Sequence, residues 1–316
     1  MHDSVKKLKI QLIGAALTVV VSAVALSATT YAWFVTNSRV HATTSTISAQ
    51  ANGMVLQIVE GNTPDHGSDT STVASAIGHE ISPSSTNDAK NWYVPQGWQG
   101  VNVSTYQKVD TSISGEAPGK YTIQGNDYYA FTAANYTLYT VANTGVADVY
   151  LDASNGSPIT ITQHGGTQEW FDKIKRSLRV GIVINGELRV VYAPTAPSTI
   201  DTGNDVIAVA GWSCVDSESL SKVVAPTYLY LSGTDLLDQN GNNWGATKAG
   251  EVYIKPSSNA QKVASGVDYN GTNMKIVIWM EGTDSDCQNW SEQNKNSAAP
   301  TFDVTVSLVG IVPDSK

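Results

Sequence analysis

From residue 127 onward the chain is a succession of short runs rich in β-branched and aromatic side chains, separated by turn formers. They lie at 128–142, 146–152, 158–163, 178–184, 187–193, 205–210, 227–232, 251–255, 274–281 and 302–312. Such side chains favour a pleated, half-buried surface, and turn residues at this spacing mark an all-β domain. Asn185-Gly186 joins two of these runs and is the strongest short-range hairpin signal, because both residues tolerate the positive φ of a two-residue turn. An earlier β-branched stretch, 40–60, reads as two strands around Asn52-Gly53, a second hairpin signal. One helix is expected at 168–177. Thr167 can cap it, Glu169 and Asp172 lie early, and Lys173, Lys175 and Arg176 lie late, as the helix dipole favours. Trp170, Phe171, Ile174 and Leu178 give it one apolar face. No 20–50-residue repeat is present. The pattern predicts a mainly-β chain: a jelly-roll-like β-sandwich with one short packed helix.

Composition narrows the class. Charged residues are 15%, against about 25% in an ordinary soluble domain. Hydrophobic residues at 41% exclude a chain disordered throughout. Only 2 Cys exclude a disulfide scaffold, and 26 Gly are too few for collagen. A net charge of −9 argues against nucleic acid as a partner, since phosphate neutralisation needs a basic patch. Ser, Thr, Asn and Gly fill the turns and strand faces, as suits an extracellular β protein.

The N-terminus supplies a route out of the cell. Lys6, Lys7 and Lys9 precede an uncharged apolar run from Ile10 to about Ala28, close to the ~20 residues that span a bilayer. Thr30-Tyr31-Ala32 follows, with small residues at −3 and −1 of a cut between Ala32 and Trp33, as in a secretory signal peptide. The rival reading is an uncleaved leader helix, a single-pass anchor with Tyr31, Trp33 and Phe34 in the interfacial belt and the C-terminal domain outside. Cleavage leaves 16 basic against 27 acidic side chains, a net charge of −11. The expected organisation is a signal peptide or anchor at 1–32, a β arm and first strands at 33–60, a loop-rich insertion at 61–118 and the sandwich core at 119–316. The terminal FDVTVSLVGIVPDSK reads as a strand and short tail without an LPxTG-type sorting motif, so wall attachment by that route is not expected.

Thr30-Tyr31-Ala32-Trp33-Phe34 closes the leader, and Asn37, Val40, Ala42 and Thr43 open the β-rich run. This resembles the TasA/camelysin family of Gram-positive secreted proteins, whose leaders are cut by a signal peptidase of the SipW type. Two other segments, IKRSLRVGIVING at 174–186 and IVIWMEGTDSDCQNW at 276–290, look like pieces of the larger relatives. The resemblance covers about a third of the chain in separate patches. It implies a jelly-roll sandwich that is a subunit of cell-surface or biofilm-matrix fibres. Some camelysin relatives are classed as metalloproteases.

The residues do not ask for an enzyme. His2, His41, His66, His79 and His164 contain no pair spaced as in HExxH. His164-Gly165-Gly166 lacks the G-x-S-x-G elbow that would make it an oxyanion loop. No cofactor is expected. Two acidic stretches are the weak Ca²⁺ candidates: Glu281, Asp284 and Asp286 after a strand, and Asp238, Asn240 and Asn242 with alternating oxygens. In the second, Asn243 stands where an EF-hand needs Gly, and a solvated turn is the alternative for both. Cys214 and Cys287 can pair outside the cell or remain two buried thiols. Trp92, Trp98, Trp212, Trp244 and Trp290 fall among turn residues, where aromatics stack on sugars, anchor partners or close the core.

The leading expectation is an exported structural subunit that self-associates into fibres. Its arm, 33–51, would add a strand to a neighbour's sheet. Its other partners would be the signal peptidase and, until cleavage, the membrane. The alternative is a membrane-anchored adhesin or glycan binder using 61–118. A camelysin-type metalloprotease stands third.

Overall fold

The computed structural model describes residues 40–51, 56–67, 71–76, 80–96, 103, 105–113, 115–152, 157–194, 206–208, 214–222, 236–237, 240–242, 255–258, 260–284, 287 and 300–313. These residues are mainly β, with strands numbered β1 to β20 along the chain and one helix, α1 (Gln168–Lys175). The first sheet holds β1 (Val40–Ala51), β3 (Thr72–Ala76), β4 (Glu80–Ile81), β11 (Ala147–Leu151), β12 (Ile159–Gly165), β18 (Lys262–Val267) and β20 (Thr301–Ile311). Its order is β18-β11-β20-β1-β3, with β12 also on β20 and β4 also on β1. The second holds β2 (Leu56–Glu60), β5 (Pro83–Thr86), β6 (Trp92–Gln96), β7 (Thr105–Val109), β10 (Thr132–Thr140), β13 (Leu178–Ile184), β14 (Glu187–Ala193), β15 (Val206–Ala208) and β19 (Thr272–Glu281). Its order is β15-β14-β13-β19-β5-β6-β7, and β10 lies between β19 and β2. Two short ladders, β8 (Lys120–Ile123) with β9 (Asn126–Tyr129) and β16 (Leu236–Leu237) with β17 (Lys255–Pro256), complete the strands.

Side-chain alternation explains the packing. Along β20, Phe302, Val304, Val306 and Leu308 are buried while Asp303, Thr305 and Ser307 are partly exposed, the period of two of a strand with one face on a core. β19 is central, and IVIWM supplies apolar groups to both of its faces, all buried. Val304 and Leu308 of the first sheet share one core with Ile276 and Ile278 of the second, so the arrangement is sandwich-like. α1 carries the chain from β12 to β13, from one sheet to the other, and buries Trp170, Phe171 and Ile174 in that core. Thr167 sits at the N-cap with extended backbone, but its hydroxyl makes no capping bond. Its carbonyl accepts the Phe171 N–H at 3.0 Å instead.

The β13–β14 hairpin turns at Asn185 (φ 49°) and Gly186 (φ 82°), as the sequence predicts. The stretch 40–60 does not form the expected hairpin: β1 pairs with β20, β3 and β4, and β2 pairs with β10 in the other sheet. Asn52-Gly53 itself lies outside the described residues. The predicted strand 128–142 is split at Ala130-Phe131 into β9 and β10, and 227–232 lies outside the described residues.

Residues 61–90 hold β3, β4 and β5 where a long surface loop was expected. β5 is buried throughout although it reads PSST. Two of its hydroxyls are used internally: Ser84 Oγ donates to the Ala130 carbonyl at 2.5 Å and Thr86 Oγ1 to the Asn91 carbonyl at 2.7 Å. A hydroxyl bonded to backbone can be buried at modest cost.

Gly119 marks a tight approach that only glycine allows. Its φ is +90°, and a Cβ there would lie 2.3 Å from the Phe131 carbonyl oxygen. Gly119→Ala is expected to lower the unfolding free energy by about 1–3 kcal/mol, read from urea denaturation followed by tryptophan fluorescence.

Candidate functional site

Two places in the fold bear on function: the slot occupied by β1, and a buried polar centre at the end of β19.

β1 opens the described chain and β20 lies close to its end, yet the two run side by side in parallel. The ladder extends from His41 opposite Thr301 to Ala51 opposite Gly310, with a shift between Ala42 and Thr44. On its other side β1 meets β3 from Thr44–Ala76 to Ser48–Thr72, and β4 at Val40–Ile81 and His41–Glu80. Its backbone is therefore paired along both edges, and its removal would open β20 and β3 together. No hairpin ties it to either neighbour: the β20 pairing closes nearly the whole domain, and β3 is separated from it by β2. β1 is thus an interior strand whose ladder partners are all reached from outside its own hairpin range.

The second place begins with Arg179, a charge inside the apolar run of β13. It is 1% exposed. Its Nη2 donates to Asp284 Oδ2 at 2.5 Å, and its Nη1 to the carbonyls of Arg176 and Leu178 at 2.8 and 2.9 Å. Glu281, equally buried, accepts at Oε2 from Trp279 Nε1 (3.0 Å) and at Oε1 from the Thr283 N–H (3.1 Å) and hydroxyl (2.7 Å). The Glu281 N–H donates to the Ser177 carbonyl at 2.7 Å, which ties the strand to the end of α1. Tyr106 of β7 donates its hydroxyl to the Gly282 carbonyl at 3.2 Å. Burial pushes its phenol well above the usual range, and Glu281 adds to that. Cys214 and Cys287 border the same centre. Burial pushes both thiols up, with Glu281 acting on Cys214 and Asp284 and Glu281 on Cys287. The carboxylates are thus engaged by protein donors, and the thiols are held as thiols. This centre braces the second sheet against α1.

Asn87 links a further segment to it. Its Oδ1 accepts the Cys214 N–H at 2.9 Å, and its Nδ2 donates to the Val215 carbonyl at 2.7 Å. Beside it, Asp88 holds the turn into β6, accepting the N–H groups of Lys90 (2.8 Å) and Asn91 (2.7 Å). Burial raises its pKa, but those backbone donors outweigh burial, so its carboxyl lies below the ordinary value of 3.8. Stability from Asp88 is therefore present above that ordinary value and lost as pH falls through the lowered one. Asp88→Ala is expected to cost about 1 kcal/mol at neutral pH and progressively less as pH falls below the ordinary carboxylate range, measured by urea titrations across pH.

The sequence-predicted residues are placed as follows. Of the acidic stretch, Glu281 and Asp284 are in the polar centre rather than on an open loop, and Asp286 lies outside the described residues. Asn240 and Asn242 are exposed in a turn, and Asp238 is outside the described residues. Among the described residues no group of three or more His, Cys, Asp or Glu is arranged to hold a metal ion. His164 Nδ1 lies 3.2 Å from Asp303 Oδ2 on the surface, and His66 stacks on Tyr269 with ring centroids 3.7 Å apart. Trp92 is core: it stacks on Phe131 at 4.4 Å and meets Trp279 edge-on at 5.8 Å. Ala32, Trp33, Trp98, Trp212, Trp244 and Trp290 lie outside the described residues. No helix among the described residues is long and apolar enough to cross a membrane. Arg179, Asn87 and Tyr106 were not singled out from sequence. Arg179 alone left a signal, a lone charge in LRVGIVI that must find a buried partner.

Comparison with protein-family models, curated proteins and solved structures yields no match to this chain.

Proposed function

We propose that this chain is an exported structural subunit of a cell-surface or biofilm-matrix fibre, assembled by strand addition. The observation that carries the reading is the position of β1 between β20 and β3, paired along both edges without a local tether. In the proposed fibre the segment beginning near Trp33 leaves its own subunit and lies in the next one's slot. The same backbone pairs are made in either place, so exchange loses little bonding, and a head-to-tail contact that does not close on itself propagates as a filament. Cleavage after Ala32 by the signal peptidase frees the segment; until then the apolar leader holds the chain at the membrane. In finer detail the sandwich is of jelly-roll type, and the partner is another copy of the same chain.

N-terminal sequencing of the exported protein, with electron microscopy of the same sample, tests this. Filaments whose subunits begin at Trp33 are expected. A monodisperse protein retaining Met1 would contradict it.

A further inference from the structure

Among the described residues four large apolar side chains are exposed: Ile113 (43%), Val141 (43%), Val146 (41%) and Val312 (47%). The ladders bring the three valines to one end of the sandwich. Thr140, the last residue of β10, pairs with Leu56, so Val141 lies where β2 begins. Val146 immediately precedes β11, whose Asp148 pairs with Ile311 of β20, and Val312 follows Ile311. The same end holds the last pair of β1, Ala51 with Gly310. Gly310 packs on Leu56 so closely that a Cβ there would lie 3.0 Å from Leu56 Cδ2. Ile113 lies elsewhere. It follows β7, which reaches β19 through β6 and β5 at Met280, whereas β10 meets the other end of β19 with Leu138 opposite Thr272. Val141 and Val146 flank a turn without charged residues, closed by the Gly145 N–H donating to the Ala142 carbonyl at 2.9 Å. Asp148 beyond it is paired with Lys262 at 2.5 Å.

We infer that this valine face is covered by a second copy of the same chain in the assembled fibre. Strand exchange is the premise, and the length of one connection supplies the rest. β2 keeps its place in the second sheet through five register pairs with β10. Only residues 52–55 separate it from Ala51, the end of β1. Five Cα steps reach at most about 18 Å. That suffices to pass between two sheets about 10 Å apart within one subunit. When Ala51 stands opposite the Gly310 of a neighbouring copy, the same reach holds that copy's Gly310 end within about 18 Å of Leu56 in the donor. Copies joined by β1 therefore meet at the end that carries Val141, Val146 and Val312. Exposed apolar groups there leave water on contact. The uncharged turn and the paired Asp148 let identical faces approach with little repulsion.

The exported protein and its Val141→Asp/Val146→Asp/Val312→Asp variant are compared for Tm and for the critical concentration of assembly, by sedimentation with electron microscopy. The variant should keep the wild-type Tm, because the replaced side chains are exposed. Its critical concentration should rise about tenfold or more. The matching triple serine variant, which adds no charge, should raise it less, and it carries the comparison if aspartate lowers the Tm. Ile113→Asp should leave assembly unchanged. Strand exchange is read separately: a chain lacking 33–51 should take up a peptide of residues 40–51 equally well with and without the three aspartates. Peptide uptake with an unchanged critical concentration would overturn the inference and leave strand exchange standing. Valine-dependent association without peptide uptake would support the face as an interface and remove strand exchange. A wild type that stays monomeric would overturn both. Unchanged assembly with lost binding to phosphatidylglycerol vesicles would give the face to a membrane and overturn the inference.

Discussion

Replacing Arg179 with methionine will lower the unfolding free energy by about 3–5 kcal/mol, one of the largest effects of any single change in the core. The cause is what remains. Asp284 has a side chain 1% exposed and would keep a buried charge without the guanidinium beside it. The Arg176 and Leu178 carbonyls would lose their donors as well. Arg179→Lys should recover only part of the loss, because an ammonium cannot hold the carboxylate and both carbonyls in the same planar arrangement. The double variant Arg179→Met/Asp284→Leu should recover most of it, since a buried pair replaced by apolar groups of similar size costs little. Urea denaturation in reducing buffer measures all three and keeps the cysteines out of the comparison. Equal stabilities for the wild type and Arg179→Met would show that the centre does not brace the sheet.

The second large effect is expected at Ile47. It sits mid-strand in β1, opposite Val306 on one side and Val73 on the other. Proline there removes a ladder N–H and imposes a ring that an interior strand does not accept, at about 3 kcal/mol or more. The exported Ile47→Pro chain should form no filaments by electron microscopy. A chain lacking 33–51 should likewise fail to polymerise and should bind a synthetic peptide of residues 40–51, which refills the slot. Normal filaments from either variant would remove β1 from the assembly mechanism.

Features set by neighbours in sequence were legible. The Asn185-Gly186 turn, the alternation of β20 and the apolar face of α1 each rest on a local pattern, and each forms, except that Leu178, expected on that face, opens β13 instead. Features set by distant partners were not. Nothing in VHATTSTISAQA names the C-terminal strand as its parallel neighbour, so the 40–60 stretch read as a local hairpin. β5 reads as loop because Ser and Thr suit solvent; its burial depends on carbonyls at Ala130 and Asn91 that the pattern does not reveal. Glu281 and Asp284 read as a loop for Ca²⁺ because the cation that pairs with Asp284 lies more than a hundred residues earlier, in β13. Strand addition by the arm at 33–51 was an expectation from sequence, while the place of β1 between β20 and β3 emerged only from strand order.

The central claim is that β1 passes between copies, and cross-linking across its ladder tests it most directly. Ser48 and Ser307 are register partners on β1 and β20. On a Cys214→Ser/Cys287→Ser background, one batch of chain carries Ser48→Cys and another Ser307→Cys. The two are mixed, assembled and oxidised. Strand exchange predicts a disulfide joining one chain of each kind in the filaments, and a ladder of covalent oligomers from chains carrying both substitutions. Chains with both substitutions that close only upon themselves, in filaments where the mixed batches stay unlinked, would contradict it.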